Sequence, residues 1–174
     1  LVSSNLERLL FDLYDEDCVT IAQLMKQLST NGHYQVSPAV FAKLQQQFAA
    51  GYATPDEVEA EIKRVYLNDG YVIDPHTAVA SHVTYQYQQQ SRDTTPTVIV
   101  STASPYKFPE TVYHALTNQQ VKQSGLPALQ QLHDFLGDQL SAGVQSLIVQ
   151  TPRQEKVINP AEMEALISKI LNLK

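Results

Sequence analysis

Three hydroxyl-bearing side chains, Ser101, Thr102 and Ser104, follow directly on an unbroken β-branched run, Val98, Ile99 and Val100. A short apolar run closed by turn signals, here Pro105 and Pro109, predicts a strand over 97–101 covered on both faces, as in a parallel sheet under packed helices. Ligands of open α/β sheets collect at the carboxyl ends of strands, so Ser101 and Thr102 stand where neutral hydrogen-bonding groups can meet one. The same hydroxyls can instead satisfy the backbone of a loop. A second cluster, Asp74, His76 and Thr77, lies in "DPHTAVA". Asp74 before Pro75 has the order of an N-cap and first helical residue, and its charge would oppose an anion at that helix end.

Other chemistries lack their residues. The six glycines are not clustered, which excludes a P-loop or a dinucleotide fingerprint. Of the five histidines only His76 and His82 approach metal-ligand spacing, and they share a helix face poorly, so no metal is expected. The single cysteine, Cys18, excludes an intrachain disulfide, fits a reducing compartment and reads as a buried filler. A formal charge of −6 without basic runs argues against nucleic acid or an anionic membrane as the main partner. No stretch reads as a signal peptide or a membrane span, and the expected location is cytoplasmic. Small metabolites remain open as ligands.

The positioning elements are mostly helices. Leu6, Leu9, Leu10 and Leu13 have helical spacing directly after Leu1, which reads as a cut in something longer. Ser37 and Pro38 start a second helix with Val40, Phe41, Leu44 and Phe48 on one face. Thr54 and Glu57 form a capping box ahead of Val58, Ile62 and Val65, and Asn159 and Glu162 another ahead of Met163, Leu166, Ile167, Ile170 and Leu171. Gly70 ends a helix, 71–74 is a short strand candidate, and Asp74 opens the next helix. "PETVYHAL" and "PALQQLHDFLGDQL" read as helices, while "VQSLIVQ" fits a strand or a helix. The alternation predicts an α/β layer with parallel pairing, divided into a helical portion over 1–70 and an α/β portion over 71–174.

"DPHTAVA" at 74–80, "VIVSTASPYKFPETV" at 98–112 and "SSNLERLL" at 3–10 together resemble the C-terminal part of threonine synthase. The family is similar in fold to the tryptophan synthase β group of pyridoxal phosphate enzymes, and converts O-phosphohomoserine and water to threonine and phosphate. The resemblance implies a parallel-sheet fragment covered by helices. It also implies that Thr102, matching the threonine of the family's "TAHPAKF"-like segment, offers a neutral hydroxyl to the cofactor's pyridine nitrogen, moderating its pull on electrons. Ser101, Ser104, Lys107, Asp74, His76 and Thr77 take secondary places at most. Ser104 stands where the family often has His. The family's cofactor-bearing lysine and phosphate-holding loop lie upstream of the matched region, and Lys26, Lys63, Lys107 and Lys169 are not in such a setting. The chain is therefore expected to hold no catalytic residue, to be inactive alone and to need the preceding part of its own protein as partner. The alternative is a noncatalytic α/β or helix-rich interaction module, which the clean caps also fit.

Overall fold

A computed structural model describes residues 3–138, 140–150 and 157–172. Its elements are helices, most of them started by a side chain that accepts the first orphan amides: α1 (Ser4–Leu13), α2 (Cys18–Asn31), α3 (Pro38–Gln47), α4 (Pro55–Asp69), α5 (Pro75–Ser91), α6 (Pro109–Thr117), α7 (Leu126–Leu136), α8 (Ala142–Val149) and α9 (Met163–Ile170). Short 3₁₀ turns at Pro105–Lys107 and Pro160–Glu162 precede α6 and α9. The capping box of α4 is complete: Thr54 N–H donates to Glu57 Oε2 at 2.7 Å, and Glu57 N–H to Thr54 Oγ1 at 3.4 Å. "VQSLIVQ" belongs to α8.

The chain divides into two compact units, Leu1–Ala103 and Ser104–Lys174, and residues 70 and 71 lie inside the first. In the first unit Leu10, Ile21, Leu24 and Val40 bring α1, α2 and α3 together, and the Tyr14 hydroxyl accepts the Ser37 amide at 2.8 Å. The helices α4 and α5 form a second layer that buries Ile62, Val65 and Ala78. In the second unit α6 and α7 bury Val112, Leu116, Ala128 and Leu132, and Tyr113 meets Phe135 edge to face at 5.9 Å. No helix among the described residues is long and apolar enough to cross a membrane.

Four expectations are corrected. No strand occurs among the described residues, and Val98 and Val100, read as buried on both faces, are 86% and 72% exposed. A strand holds only where neighbours take its N–H and C=O groups, and the described residues provide none to 97–101 or to 71–74, so no parallel sheet forms among them. Thr102 accordingly follows an irregular exposed segment and not a buried strand. Cys18 is exposed, because it occupies the first turn of α2 beside its cap Asp17 and points off the core face carried by Ile21 and Leu24. The stripe Met163, Leu166, Ile167, Ile170 and Leu171, expected as the buried face of its helix, has helical period but no buried member, since period marks a face without supplying what covers it.

Candidate functional site

Asp74 is the anchor of the first motif. It is fully enclosed, at 0% exposure, and N-caps α5: its Oδ1 accepts the amides of His76 at 2.9 Å and Thr77 at 3.4 Å, and its Oδ2 accepts the Thr77 hydroxyl. The capping role read from Asp74-Pro75 is thus realised. The exposed ring of His76 has its Nδ1 3.3 Å from the same carboxylate. Thr77 is buried, and its Oγ1 also stands 3.1 Å from Ser101 Oγ. That bond joins the two motifs, 24 residues apart in sequence, within the first unit.

The three hydroxyls after the β-branched run then separate. Ser101 is engaged with Thr77. Ser104, in the second unit, caps the 3₁₀ turn by accepting the Tyr106 amide at 3.3 Å, which is loop structure. Thr102 is exposed, and no hydrogen bond to its hydroxyl occurs among the described residues. Lys107 is exposed as well and borders a shallow depression with Glu110 and Leu126, where Glu110 accepts the Gly125 amide at 2.9 Å.

Helix α5 is held from behind by a charged cluster. The buried Glu61 of α4 accepts a two-pronged bond from Arg64, at 2.8 Å and 2.7 Å, and a third from Ser81 of α5 at 2.5 Å. The Arg64 bonds, with a smaller contribution from Ser81, hold the Glu61 carboxyl below the usual glutamate range against the opposing effect of burial. Next to Ser81, His82 lies 2.9 Å from the Gln86 amide and 3.6 Å from Glu57, whose carboxyl is lowered chiefly by its bonds to Thr54. Gly51 lets the chain pass against α5: a Cβ there would stand 2.8 Å from Val83 Cγ1. In the second unit, burial and the bond its hydroxyl donates to Asp138 push the Tyr106 phenol well above the ordinary tyrosine range. The bonds of Glu61 to Ser81 and of Tyr106 to Asp138 join residues 20 and 32 apart in the chain, so no local pattern announced them. Among the described residues no group of three His, Cys, Asp or Glu side chains is arranged to hold a metal ion.

Residues 101–104 carry three hydroxyls and no carboxylate. Solved structures resemble this fold. Yeast threonine synthase superposes on 99% of this chain with a TM-score of 0.72 at 26% identity, the chain covering 34% of that protein. A pyridoxal phosphate-bound threonine synthase from Brucella melitensis matches 75% of the chain, and 27% of its own length, with a TM-score of 0.58 at 35% identity. The family model for the C-terminal domain of threonine synthase matches residues 77–167, more than half of the chain. The chain belongs to the threonine synthase family. It is 33% identical to human threonine synthase-like 1 over 99% of its own length and 23% of the relative's. It is 31% identical to Pseudomonas aeruginosa threonine synthase over 66% of its own length and 24% of the relative's. The chain thus spans about a quarter of the length of these curated relatives.

Proposed function

We propose that the full-length protein is a pyridoxal phosphate-dependent lyase that converts O-phosphohomoserine and water to threonine and phosphate in the cytoplasm, and that this chain forms one wall of its active site. The observation that carries the reading is the division of labour among the hydroxyls: Ser101 and Ser104 are engaged in structure, and Thr102 presents an exposed, unengaged hydroxyl. The residues fit the cofactor, since a neutral hydroxyl can donate to an unprotonated pyridine nitrogen or accept from a protonated one. When bound, pyridoxal phosphate supplies an electron sink for the substrate carbon skeleton. Thr102 would hold and orient the ring nitrogen without fixing a proton on it as a carboxylate would. Asp74 and Thr77 stiffen the turn behind it, and His76 borders the site.

In this reading the exposed run 97–101 becomes a strand once neighbouring strands from the remainder of the protein lie beside it, which accounts for three β-branched residues left in water. The cofactor-bearing lysine belongs to that remainder. Lys26, Lys107 and Lys169 are exposed, and Lys63 is only half-buried on α4. The test measures phosphate released from O-phosphohomoserine by the full-length protein and by this chain, each supplied with pyridoxal phosphate. Release by the full-length protein alone is expected. Borohydride fixing the cofactor stoichiometrically to one lysine of this chain would refute the assignment of covalent chemistry elsewhere.

A second reading keeps the cofactor and changes the substrate. It is supported by Ser104, which replaces an imidazole often found in the family, and by the end-to-end match to threonine synthase-like 1 where the bacterial enzyme matches two thirds. A cofactor-loaded full-length protein that leaves O-phosphohomoserine intact would favour it. A full-length protein that takes up no pyridoxal phosphate would favour the noncatalytic module.

A further inference from the structure

Two motifs that are separate in sequence are tied by one bond, and the tie reaches the residue beside Thr102. The chain of contacts begins at Asp74, which has no freedom: it is fully enclosed and two backbone amides fix its carboxylate. Thr77, buried and β-branched on a helix, has a strongly restricted side-chain torsion. A hydroxyl has one proton to give, and Thr77 gives its proton to Asp74 Oδ2, so Ser101 supplies the proton of the 3.1 Å pair. Ser101 prefers that partner to the Ala103 carbonyl, 3.5 Å away at the limit of a hydrogen bond. The segment that carries Ser101 has no regular structure of its own among the described residues, so this bond, with the one that Gln88 of α5 donates to Thr97 at 3.2 Å, registers it on α5.

Resting on the reading of Thr102 as the ring-nitrogen partner, we propose that Asp74 and Thr77 are positioning residues for Thr102, acting through Ser101 to aim its hydroxyl. Ser101 is bonded to α5, and the next residue, Thr102, is exposed. Asp74 thereby has a second effect besides capping. The buried carboxylate orders the Thr77 hydroxyl, and the order of that hydroxyl sets which way Ser101 donates.

The test uses the full-length protein carrying pyridoxal phosphate, read by the pH midpoint of the cofactor's absorption and not by turnover. Thr102→Val sets the scale of the shift. Thr77→Val and Ser101→Ala are expected to move the midpoint in the same direction by a smaller amount, and Thr77→Ser, which keeps the hydroxyl, to restore it. In the apoprotein, Thr77→Val and Ser101→Ala should each raise the unfolding constant about fivefold or more, and the double variant by less than their product, because both remove one shared bond. Ser101 is exposed, so its variant remains foldable if Thr77→Val is not. A shift in Thr102→Val with none in Thr77→Val or Ser101→Ala overturns the positioning role and leaves Thr102 in place. No shift in Thr102→Val overturns both. Thr77→Ser shifted as far as Thr77→Val overturns the hydroxyl relay, since packing of the methyl would then be what matters.

Discussion

Replacing Asp74 by alanine removes the cap of α5 and the acceptor of a buried hydroxyl together, and the two costs can be separated. Loss of an N-cap that serves two amides costs about 0.5–2 kcal/mol. Leaving the Thr77 hydroxyl unpaired costs about 1–3 kcal/mol, but here the lower end applies, because the hydroxyl can turn its proton to Ser101 Oγ at 3.1 Å. The sum for Asp74→Ala is about 1.5–3 kcal/mol. Asp74→Asn keeps an oxygen for the amides of His76 and Thr77 but sets an N–H donor where Oδ2 accepted the Thr77 hydroxyl, so it forfeits the charge-assisted part and that bond, and about 1–2 kcal/mol is expected. Urea unfolding followed by far-ultraviolet circular dichroism measures both, with an unchanged slope certifying that stability alone has moved. The chain has two compact units, so hydrogen exchange of the first-turn amides of α5 assigns the loss to the unit that contains Asp74. Asp74→Ala within about 0.5 kcal/mol of wild type, inside the usual scatter of surface substitutions, would refute the role given to the cap. Asn as costly as Ala would show that the charge and the bond from Thr77, and not the amide bonds, carry the effect.

Three further outcomes follow from the same geometry. Gly51→Ala drives a Cβ against the stiff Val83 side chain and should cost about 1–3 kcal/mol in thermal or urea unfolding, most of it recovered by adding Val83→Ala; lack of rescue would mean that the contact is not the cause. The lowered Glu61 carboxyl adds stability that is present above its unfolded value and lost as pH falls through the folded one, so Glu61→Gln should be about 1–2 kcal/mol less stable than wild type near neutrality and approach it below a pH of about 4, as melts across that range will show. The raised Tyr106 phenol works the other way: its stabilisation is present below the usual tyrosine range, about 10, and is lost as pH rises through the folded value, so alkaline absorbance titration should show one late phenol that Tyr106→Phe abolishes.

What the sequence disclosed is what short-range chemistry decides. Ser37, Thr54 and Asp74 cap helices because an oxygen-bearing side chain followed by Pro satisfies amides two or three residues away, and no distant partner is needed. The same reasoning mistook Val98–Val100, because a strand is a relation between segments and the residues that would pair with it are not among those described. It also took the stripe of α9 as buried, though a period of 3.6 shows only that one face is apolar. The bonds that shape the site were beyond reach for a related reason. Ser81 meets Glu61 across 20 residues, Thr77 meets Ser101 across 24 and Tyr106 meets Asp138 across 32, distances over which residue type alone selects no partner.

The candidate site is defined as much by where its charges are confined as by its hydroxyls. Asp74, the carboxylate of the first motif, is enclosed and turned onto the N-terminus of its own helix, where the amides and the macrodipole offset its charge. Glu61, the other buried carboxylate on this platform, is paired with Arg64. The exposed stretch that ends at Thr102 therefore offers a ligand a neutral hydroxyl, with the acidic groups behind it already partnered. A carboxylate partner would hold a pyridine ring protonated across the neutral range, whereas a hydroxyl leaves the ring's proton to be set by what else binds it. Substitution of Thr102 by Asp in the full-length protein reverses that arrangement at one atom. The expected result is a cofactor absorption that keeps its protonated-ring form to higher pH than wild type, since an opposite charge stabilises the cation. An unchanged titration would mean that residue 102 does not touch the ring, and that all three hydroxyls are loop structure.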